Sequence, residues 1–339
     1  MSSVRLLPLF PVRTDPLLGG RGRIAEPRPA PEGVLVGAFV ARETMRAAAE
    51  QEPRVRGGYR TLRRLAQART GWVGAALLVL VIAVALAAPW VAPYGFIEMS
   101  LANRLKPPAW LGGGTSAHLL GTDPLGRDML SRVIWAARTS LGIAGISVLV
   151  AMVFGVTIGL LSGYYGGWLD MLVMRLADMQ LSFPYLLLAI AVMALLHPTL
   201  ANLIIVLALR SWVVYARTVR SSVLVAKQRE FVEAAVALGA SDRRIITRHL
   251  TPNVVAPIIV ISSFQLAELI ITESSLSFLG LGVQPPTPSW GGMLSQGREY
   301  LTSAWWLGVF PGLTIILTVL GINLFGDALR DAMDPRLKV

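Results

Sequence analysis

The side chains that could do chemistry in this sequence are few and widely spaced. The sequence contains no cysteine, which excludes disulfides, thiolate metal sites and cysteine nucleophiles. Its three histidines, His118, His197 and His249, follow no metal-binding spacing, and the phosphate-binding pattern GxxxxGK[ST] does not occur. The sequence therefore predicts no metal site and no nucleotide site, and any ATP that drives this protein must be bound by another chain.

Ionisable residues inside long apolar runs are the remaining candidates, because charge at membrane depth is costly and usually functional. Arg210 and Glu268 each lie about ten residues inside such a run, roughly 15 Å deep at 1.5 Å per residue. They could pair with each other, contact a partner subunit, or present opposite charges to a zwitterionic substrate such as a short peptide. Glu273 is a weaker candidate for the same pathway. Arg175 and Asp178, three residues apart, are expected to pair along one helix face.

The elements that must position these residues are membrane helices. The chain has 339 residues, of which 54% are hydrophobic and only 15% are charged, whereas soluble domains are about 25% charged. The mean hydropathy is +0.60. The apolar residues form continuous runs of about 20, the length of a membrane-crossing helix, and not the short alternating segments of a barrel. A water-soluble monomer is excluded.

Hydropathy predicts an all-α membrane protein with six transmembrane helices, at 72–91, 141–162, 171–196, 200–219, 254–276 and 305–325. Lysine and arginine are concentrated at 54–69, at 217–248 and after Arg330. Both termini and the loop between spans 4 and 5 are therefore predicted to be cytoplasmic. The opposite loop at 92–138 also carries basic residues, which weakens this charge bias.

The segment before the first span is expected to be of a different kind. Residues 1–57 are rich in Arg, Pro and Gly and are predicted to be a disordered extension, with a start at Met45 as the alternative. Residues 58–71 are predicted to form an interfacial helix, because Leu62, Leu65 and Ala66 share a face that arginines surround. Residues 72–339 form the membrane domain.

The second predicted span contains two overlapping GxxxG units, made by Gly155, Gly159 and Gly163. Positions without a side chain let another helix approach closely. The sequence leaves open whether that helix belongs to this subunit or to a partner.

The predicted cytoplasmic loop 229–253 carries the most informative pattern. Apolar residues recur there at helical spacing, a glycine interrupts them, and a serine able to cap a helix begins a second helix. The residues concerned are Phe231, Ala234, Ala235, Leu238, Gly239, Ser241, Ile245 and Ile246. Two short helices joined by a turn would protrude from the membrane, where they could dock onto another protein or lie on lipid headgroups.

This loop resembles the EAA signature of bacterial ATP-binding cassette (ABC) importer permeases, E-A-A-x3-G-x9-I-x-L-P. Here it has His249 in place of Ile and Thr251 in place of Leu, before Pro252. In that family the segment is a coupling helix that inserts into a groove of the ATPase subunit. The residues that the resemblance implies for ATPase coupling are Glu233, Ala234, Ala235, Gly239, Ser241 and Asp242.

Five further segments resemble the C-type permease of dipeptide, oligopeptide and nickel importers: 121–141, 167–190, 211–220, 275–294 and 311–338. The resemblance implies a multi-pass permease of the bacterial cytoplasmic (inner) membrane that imports di- or oligopeptides by alternating access. The same architecture could import nickel or another small solute. An ion-coupled secondary transporter and a membrane-embedded enzyme are the rivals from other classes.

The resemblance also implies the partners of the chain. They are a homologous second permease, two cytoplasmic ATPase subunits that use ATP and Mg, an extracytoplasmic solute-binding protein and membrane lipid. No cofactor bound by this chain and no nucleic acid are expected. The segment 277–304 and part of 92–138 are expected to form the rim that receives the binding protein.

Overall fold

The computed structural model describes residues 69–333. The predicted extension 1–57 and nearly all of the predicted interfacial helix 58–71 lie outside this range. The α-helices of the described residues are α1 (Arg69–Leu86), α2 (Ala88–Val91), α3 (Met129–Tyr165), α4 (Gly167–Leu181), α5 (Tyr185–Leu196), α6 (Leu200–Lys227), α7 (Glu230–Ala237), α8 (Asp242–Arg244), α9 (Thr251–Phe278), α10 (Trp290–Gly297) and α11 (Trp306–Met333). A π-helical turn, Ile245–Leu250, joins α8 to α9, and Leu101–Asn103 and Arg298–Tyr300 are 3₁₀ helices.

The described residues contain four helical stretches long and apolar enough to cross a membrane. They are Met129–Tyr165, Leu200–Lys227, Asp242–Phe278 and Trp306–Met333. The α4 and α5 helices together make a fifth apolar segment, and α1 is apolar but shorter. The all-helical membrane architecture predicted from the sequence is therefore confirmed.

The third predicted span, 171–196, is not one continuous helix. The α4 and α5 helices meet at an angle of 91°, and the break contains Ser182, Phe183 and Pro184. Proline lacks the backbone N–H that a helix interior needs and disfavours helical geometry at the residue before it. The prediction of an unbroken span is wrong here because hydropathy alone does not respond to that backbone effect.

The two aspartates of α4 form ion pairs with another helix and not with Arg175 of their own helix. Asp178 forms an ion pair with Arg217 of α6, and Asp170 forms one with Arg220, whose Nη2 lies 2.5 Å from Asp170 Oδ2. The predicted pairing of Arg175 with Asp178 along one helix face is therefore wrong. Long arginine side chains on α6 reach the carboxylates, and these ion pairs hold α4 against α6.

The two GxxxG units of α3 pack against α6 of the same chain. A Cβ atom at Gly155 would lie 2.5 Å from the Trp212 carbonyl oxygen, and one at Gly159 would lie 2.6 Å from that of Ala216. The contacts advance along both helices in the same direction, so α3 and α6 are parallel. The question that the sequence left open is thereby answered: the close approach is internal to this subunit.

The two ends of the bundle differ. We call the end that carries residues 229–253 the α7 end and the other the α10 end. At the α10 end, Asp123 binds Arg127 at 2.6 Å and Arg132 at 2.5 Å. Gln296 accepts a hydrogen bond from Arg132 at 3.0 Å. Two of the basic residues that weakened the charge bias thus share one carboxylate in a buried cluster, which joins the 92–128 loop to α10.

Candidate functional site

The α7 helix is anchored to the bundle by one narrow face. Val232 and Ala235 are buried, and Val232 packs into an apolar cluster with Tyr215 of α6 and Ile245 of the π-helical turn. Ala235 was predicted to belong to the docking core, but it belongs to this anchoring face. Residues three apart lie on one side of a helix, so burial of this pair turns the rest of α7 outward.

The other apolar residues of α7, and Leu238 at its C-cap position, are open to the surroundings. Phe231, Val236 and Leu238 are exposed, and Leu238 is 88% exposed. Ala234 and Glu233 lie on the same open side. The sequence grouped Phe231, Ala234 and Leu238 with Ala235 as one apolar face, and the structure divides this group. What remains is an exposed, largely apolar surface, the α7 open face, made by Phe231, Glu233, Ala234, Val236 and Leu238.

Gly239 ends α7 with a specific backbone geometry. Its φ is +75°, its N–H donates to the Val236 carbonyl at 2.9 Å, and the Ala240 N–H donates to the Ala235 carbonyl at 3.0 Å. This pair of bonds is the Schellman arrangement, in which the residue with positive φ is usually glycine. A Cβ at Gly239 would meet nothing within 4 Å, so the glycine is needed for its conformation and not for close approach.

Ser241 and Asp242 connect the turn to the bundle. Ser241 occupies the N-cap position of α8, as expected, but its side chain makes no capping hydrogen bond. The Tyr164 hydroxyl donates to Asp242 Oδ1 at 2.7 Å. Lys227 Nζ donates to the Tyr164 carbonyl at 2.8 Å and lies 5.3 Å from the centre of its ring. The ends of α3 and α6 are thus joined to the loop, a contact that the sequence analysis missed because its partners are 63 and 78 residues apart.

Both residues that depart from the EAA pattern have defined contacts. The His249 ring centre lies 6.3 Å from that of Phe231. The Thr251 hydroxyl donates to the Ile246 carbonyl at 2.8 Å, five residues back along the chain. The same carbonyl also accepts the Thr251 backbone N–H, which is the i→i+5 spacing of a π-helical turn, so Thr251 binds the Ile246 carbonyl through both its backbone and its side chain.

Arg210 and Glu268 meet in the middle of the bundle, between α6 and α9. They form an ion pair, and Arg210 Nη1 also donates to the Thr272 hydroxyl at 2.8 Å. The guanidinium carbon lies 5.0 Å from the centre of the Tyr185 ring of α5. Their side chains are 27% and 44% exposed. The sequence contained a signal for Thr272, which lies four residues after Glu268 on the same face of α9.

Glu273 lies in a different environment from the ion pair. It is fully buried and accepts a hydrogen bond from Ser277 at 2.7 Å. Ser274 lies 3.5 Å from its other oxygen. Glu273 was expected to face the pathway, but its carboxylate is enclosed by the protein in this conformation. Serine hydroxyls can supply the hydrogen bonds that a buried carboxylate needs.

Comparisons with known proteins agree with this architecture. Residues 155–339 match the family model described as binding-protein-dependent transport system inner membrane component. Residues 58–108 match the model described as N-terminal TM domain of oligopeptide transport permease C. These two matches include α1, α2, the last eleven residues of α3 and every helix from α4 to α11.

Curated relatives align over most of their length. The chain is 46% identical over 265 residues to the di/tripeptide transport system permease protein DppC of Pseudomonas aeruginosa, covering 78% of this chain and 88% of the relative. It is 46% identical over 267 residues to the glutathione transport system permease protein GsiD of Pectobacterium atrosepticum, covering 78% and 87%. It is 42% identical over 272 residues to the dipeptide transport system permease protein DppC of Haemophilus influenzae, covering 80% and 92%. This chain therefore belongs to the family of inner membrane components of binding-protein-dependent transport systems, as a multi-pass membrane protein.

Proposed function

We propose that this chain is one of two permease subunits of an ATP-driven importer of di- or oligopeptides. The names of its relatives support a peptide substrate, since they include di- and tripeptide permeases and a permease for glutathione, itself a small peptide. The other subunits are a homologous permease, two ATPases and an extracytoplasmic solute-binding protein. The ATPases bind and hydrolyse ATP with Mg, and this chain performs no covalent chemistry.

The six-span topology with cytoplasmic termini is part of this proposal. The bent α4–α5 pair and the short α1 helix would add two crossings to the four long helical stretches. An even number of crossings puts both ends on one side, and the arginine-rich segments 54–69 and 217–248 favour the cytoplasm for that side. The α10 end would then face the solute-binding protein, with 92–128 and 277–304 as its rim.

The observation that carries the proposal is the α7 open face. A short helix that exposes Leu238 and Phe231 while only Val232 and Ala235 anchor it is suited to burial in a groove of another protein, because apolar area removed from water stabilises the complex. Glu233 and Asp242 at its edges would set the register. The α7 helix is therefore the coupling helix, and the ATPase subunit is its partner.

Transport follows from the way α7 is joined to the bundle. When the ATPases close on ATP, they draw the coupling helices together. The Tyr164, Lys227 and Asp242 contacts pass this displacement to α3 and α6. Rigid-body shifts of packed helices are a common form of such transitions, and they would open the pathway towards the loaded binding protein. Arg210 and Glu268 of α6 and α9 lie beside this pathway, while Glu273 positions the helices around it.

Reconstitution of the importer tests this function. Proteoliposomes that contain this chain, its homologous permease and the ATPases are supplied with the binding protein and labelled dialanine. Uptake is expected to require ATP, the ATPases and the binding protein together. Uptake by this chain alone, driven by an ion gradient without ATP, would contradict the proposal and support a secondary transporter.

A further inference from the structure

One face of α9, which we call its open face, is at least partly exposed along most of the helix. Residues on this face recur at intervals of four and three: Pro257, Ile261, Phe264, Glu268, Ile271, Ser275 and Phe278. Pro257, Ile261 and Phe264 line an apolar groove of about 500 Å³. Ile271, Ser275 and Phe278 line a second groove of about 400 Å³. Glu268 lies between the two grooves, so the face is apolar at both ends and charged in the middle.

The ion pair on this face is only partly enclosed by the chain. The Glu268 side chain is 44% exposed and that of Arg210 is 27% exposed, and both lie about ten residues, roughly 15 Å, from the α10 end of their helices. Charged side chains at this depth face a protein or a water-filled cavity and not hydrocarbon. In residues 69–333, only the Oε1 atom of Glu268 accepts a side-chain hydrogen bond, which leaves Oε2 available to a ligand.

Arg210 has a support that does not depend on Glu268. Tyr185 lies on α5, and its ring faces the guanidinium at 5.0 Å. The Tyr185 hydroxyl is itself fixed by donating to the Val206 carbonyl of α6 at 3.2 Å. A stacked guanidinium keeps its planar donor edge free for a carboxylate. If α9 moves away from α6, Arg210 therefore stays oriented towards the space that Glu268 leaves.

We propose that Arg210 and Glu268 recognise the two charged termini of a free peptide as it crosses, so that the ion pair exchanges partners with a zwitterionic substrate. Arg210 binds the terminal carboxylate and Glu268 binds the terminal ammonium. This inference rests on the proposed function and deepens it, since it assigns selection for free peptide termini to the permease as well as to the binding protein. A dipeptide is at most roughly 7 Å long at 3.3–3.6 Å per residue, so a modest separation of α6 and α9 admits it.

The ion pair of Arg210 and Glu268 also accounts for release of the peptide. Conduction requires a site that binds strongly enough to admit the substrate and weakly enough to let it leave. When α6 and α9 close again, Arg210 and Glu268 compete with the peptide for each other and displace it. A peptide with blocked termini offers neither charge and leaves the ion pair unbroken.

The absence of native cysteine makes a direct test possible. A single cysteine is introduced at Ile271, which is 49% exposed and three residues from Glu268 on the open face. The assembled importer, freed of binding protein, is then labelled with a charged thiosulfonate reagent. Dialanine is expected to slow labelling, and N-acetyl-dialanine amide, which has no charged terminus, is expected to have no effect. A cysteine at Val153 of α3, which is 58% exposed, is the matched control and should not be protected.

Variants without charge at Arg210 or Glu268 test whether these two residues cause the protection from labelling. In Glu268→Gln and Arg210→Gln backgrounds, the dialanine concentration needed for protection should rise by about tenfold or more, as expected for loss of a charge-assisted contact. If either single variant fails to assemble, the double Gln variant, which leaves no unpaired charge, replaces it. Equal protection by both peptides, unchanged protection in the Gln variants, or no labelling at Ile271→Cys would overturn the inference. Loss of ATP-driven dialanine uptake in the parent importer would instead count against the proposed function.

Discussion

The Tyr164 hydroxyl donates a 2.7 Å hydrogen bond to the Asp242 carboxylate and thereby joins the end of α3 to the start of α8. Because α3 packs closely along α6 through its glycines, this bond connects the loop that carries the α7 open face to the α3–α6 pair. Lys227 of α6 closes the connection by donating to the Tyr164 carbonyl. A force applied to α7 therefore reaches α3 and α6 through side chains that are already in contact.

Replacing Tyr164 by Phe should weaken coupling without preventing assembly. The variant keeps the ring that faces Lys227 and loses only the hydroxyl, a bond worth about 0.5–1.5 kcal/mol and more with a charged acceptor. We expect ATP hydrolysis to continue while peptide taken up per ATP falls severalfold in proteoliposomes. Tyr165→Phe is the control, because the Tyr165 ring packs edge-on against Tyr164 and its hydroxyl has no hydrogen bond to any of residues 69–333. An unchanged ratio of uptake to hydrolysis would show that the bond carries no coupling.

The α3–α6 contact should be intolerant of added volume. Gly159→Leu places a branched side chain where even a Cβ would lie 2.6 Å from the Ala216 carbonyl oxygen, and overpacking of this kind costs about 1–3 kcal/mol or more. We expect a lower midpoint of thermal unfolding and a lower yield of purified protein. Gly145→Leu on the same helix is the control, since a Cβ there meets nothing within 4 Å. Equal effects of the two changes would argue against the observed helix packing.

Gly239 should tolerate asparagine better than alanine. Its φ is +75°, a conformation that is unfavourable for alanine by roughly 1–2 kcal/mol. Asparagine adopts it more readily, because its side chain can form local hydrogen bonds. We expect Gly239→Ala to shift the end of α7 and to reduce the amount of ATPase that co-purifies, and Gly239→Asn to retain most of it. The space around Gly239 is open, so side-chain size should not matter. A lower amount of co-purifying ATPase for Gly239→Asn than for Gly239→Ala would contradict this explanation.

The buried cluster at the α10 end should be sensitive to loss of one charge. Asp123 binds both Arg127 and Arg132, so Asp123→Asn leaves buried cations without their counter-charge, a change that typically costs about 3–5 kcal/mol. We expect a large loss of thermal stability. Arg138→Gln is the control on α3, because Arg138 is exposed and such substitutions usually change stability by less than about 0.5 kcal/mol. A small effect of Asp123→Asn would mean that the cluster is solvated.

The sequence predicted the membrane helices well because long apolar runs are a strong and local signal. It also identified Arg210 and Glu268 as residues that could meet, since equal depth in two spans can be counted along the chain. The break at Pro184 was missed because hydropathy does not respond to backbone geometry. The pairing of Asp178 with Arg217 was missed because it depends on which helices are neighbours, which no local pattern contains.

The sequence also could not predict which face of α7 is buried. Periodicity correctly predicted a short amphipathic element that ends at Gly239. The helix's own apolar residues, however, occupy much of its circumference, so the pattern does not single out one buried face. Burial of Val232 and Ala235, and not of Phe231 and Leu238, depends on where α7 leaves α6 and returns to α9. That orientation is a tertiary property, and it determines which residues are available to a partner.

Cross-linking from α7 tests the central claim most directly. Single cysteines at Leu238, which is 88% exposed, and at Val232, which is 2% exposed, are each coupled to a short photoreactive maleimide in the importer purified from native membranes. We predict that Leu238→Cys forms a covalent product with the ATPase subunit, identified by mass spectrometry, and that Val232→Cys gives little or none. A product with lipid or with no protein at Leu238→Cys, or equal yields from both positions, would contradict the assignment of α7 as the coupling helix.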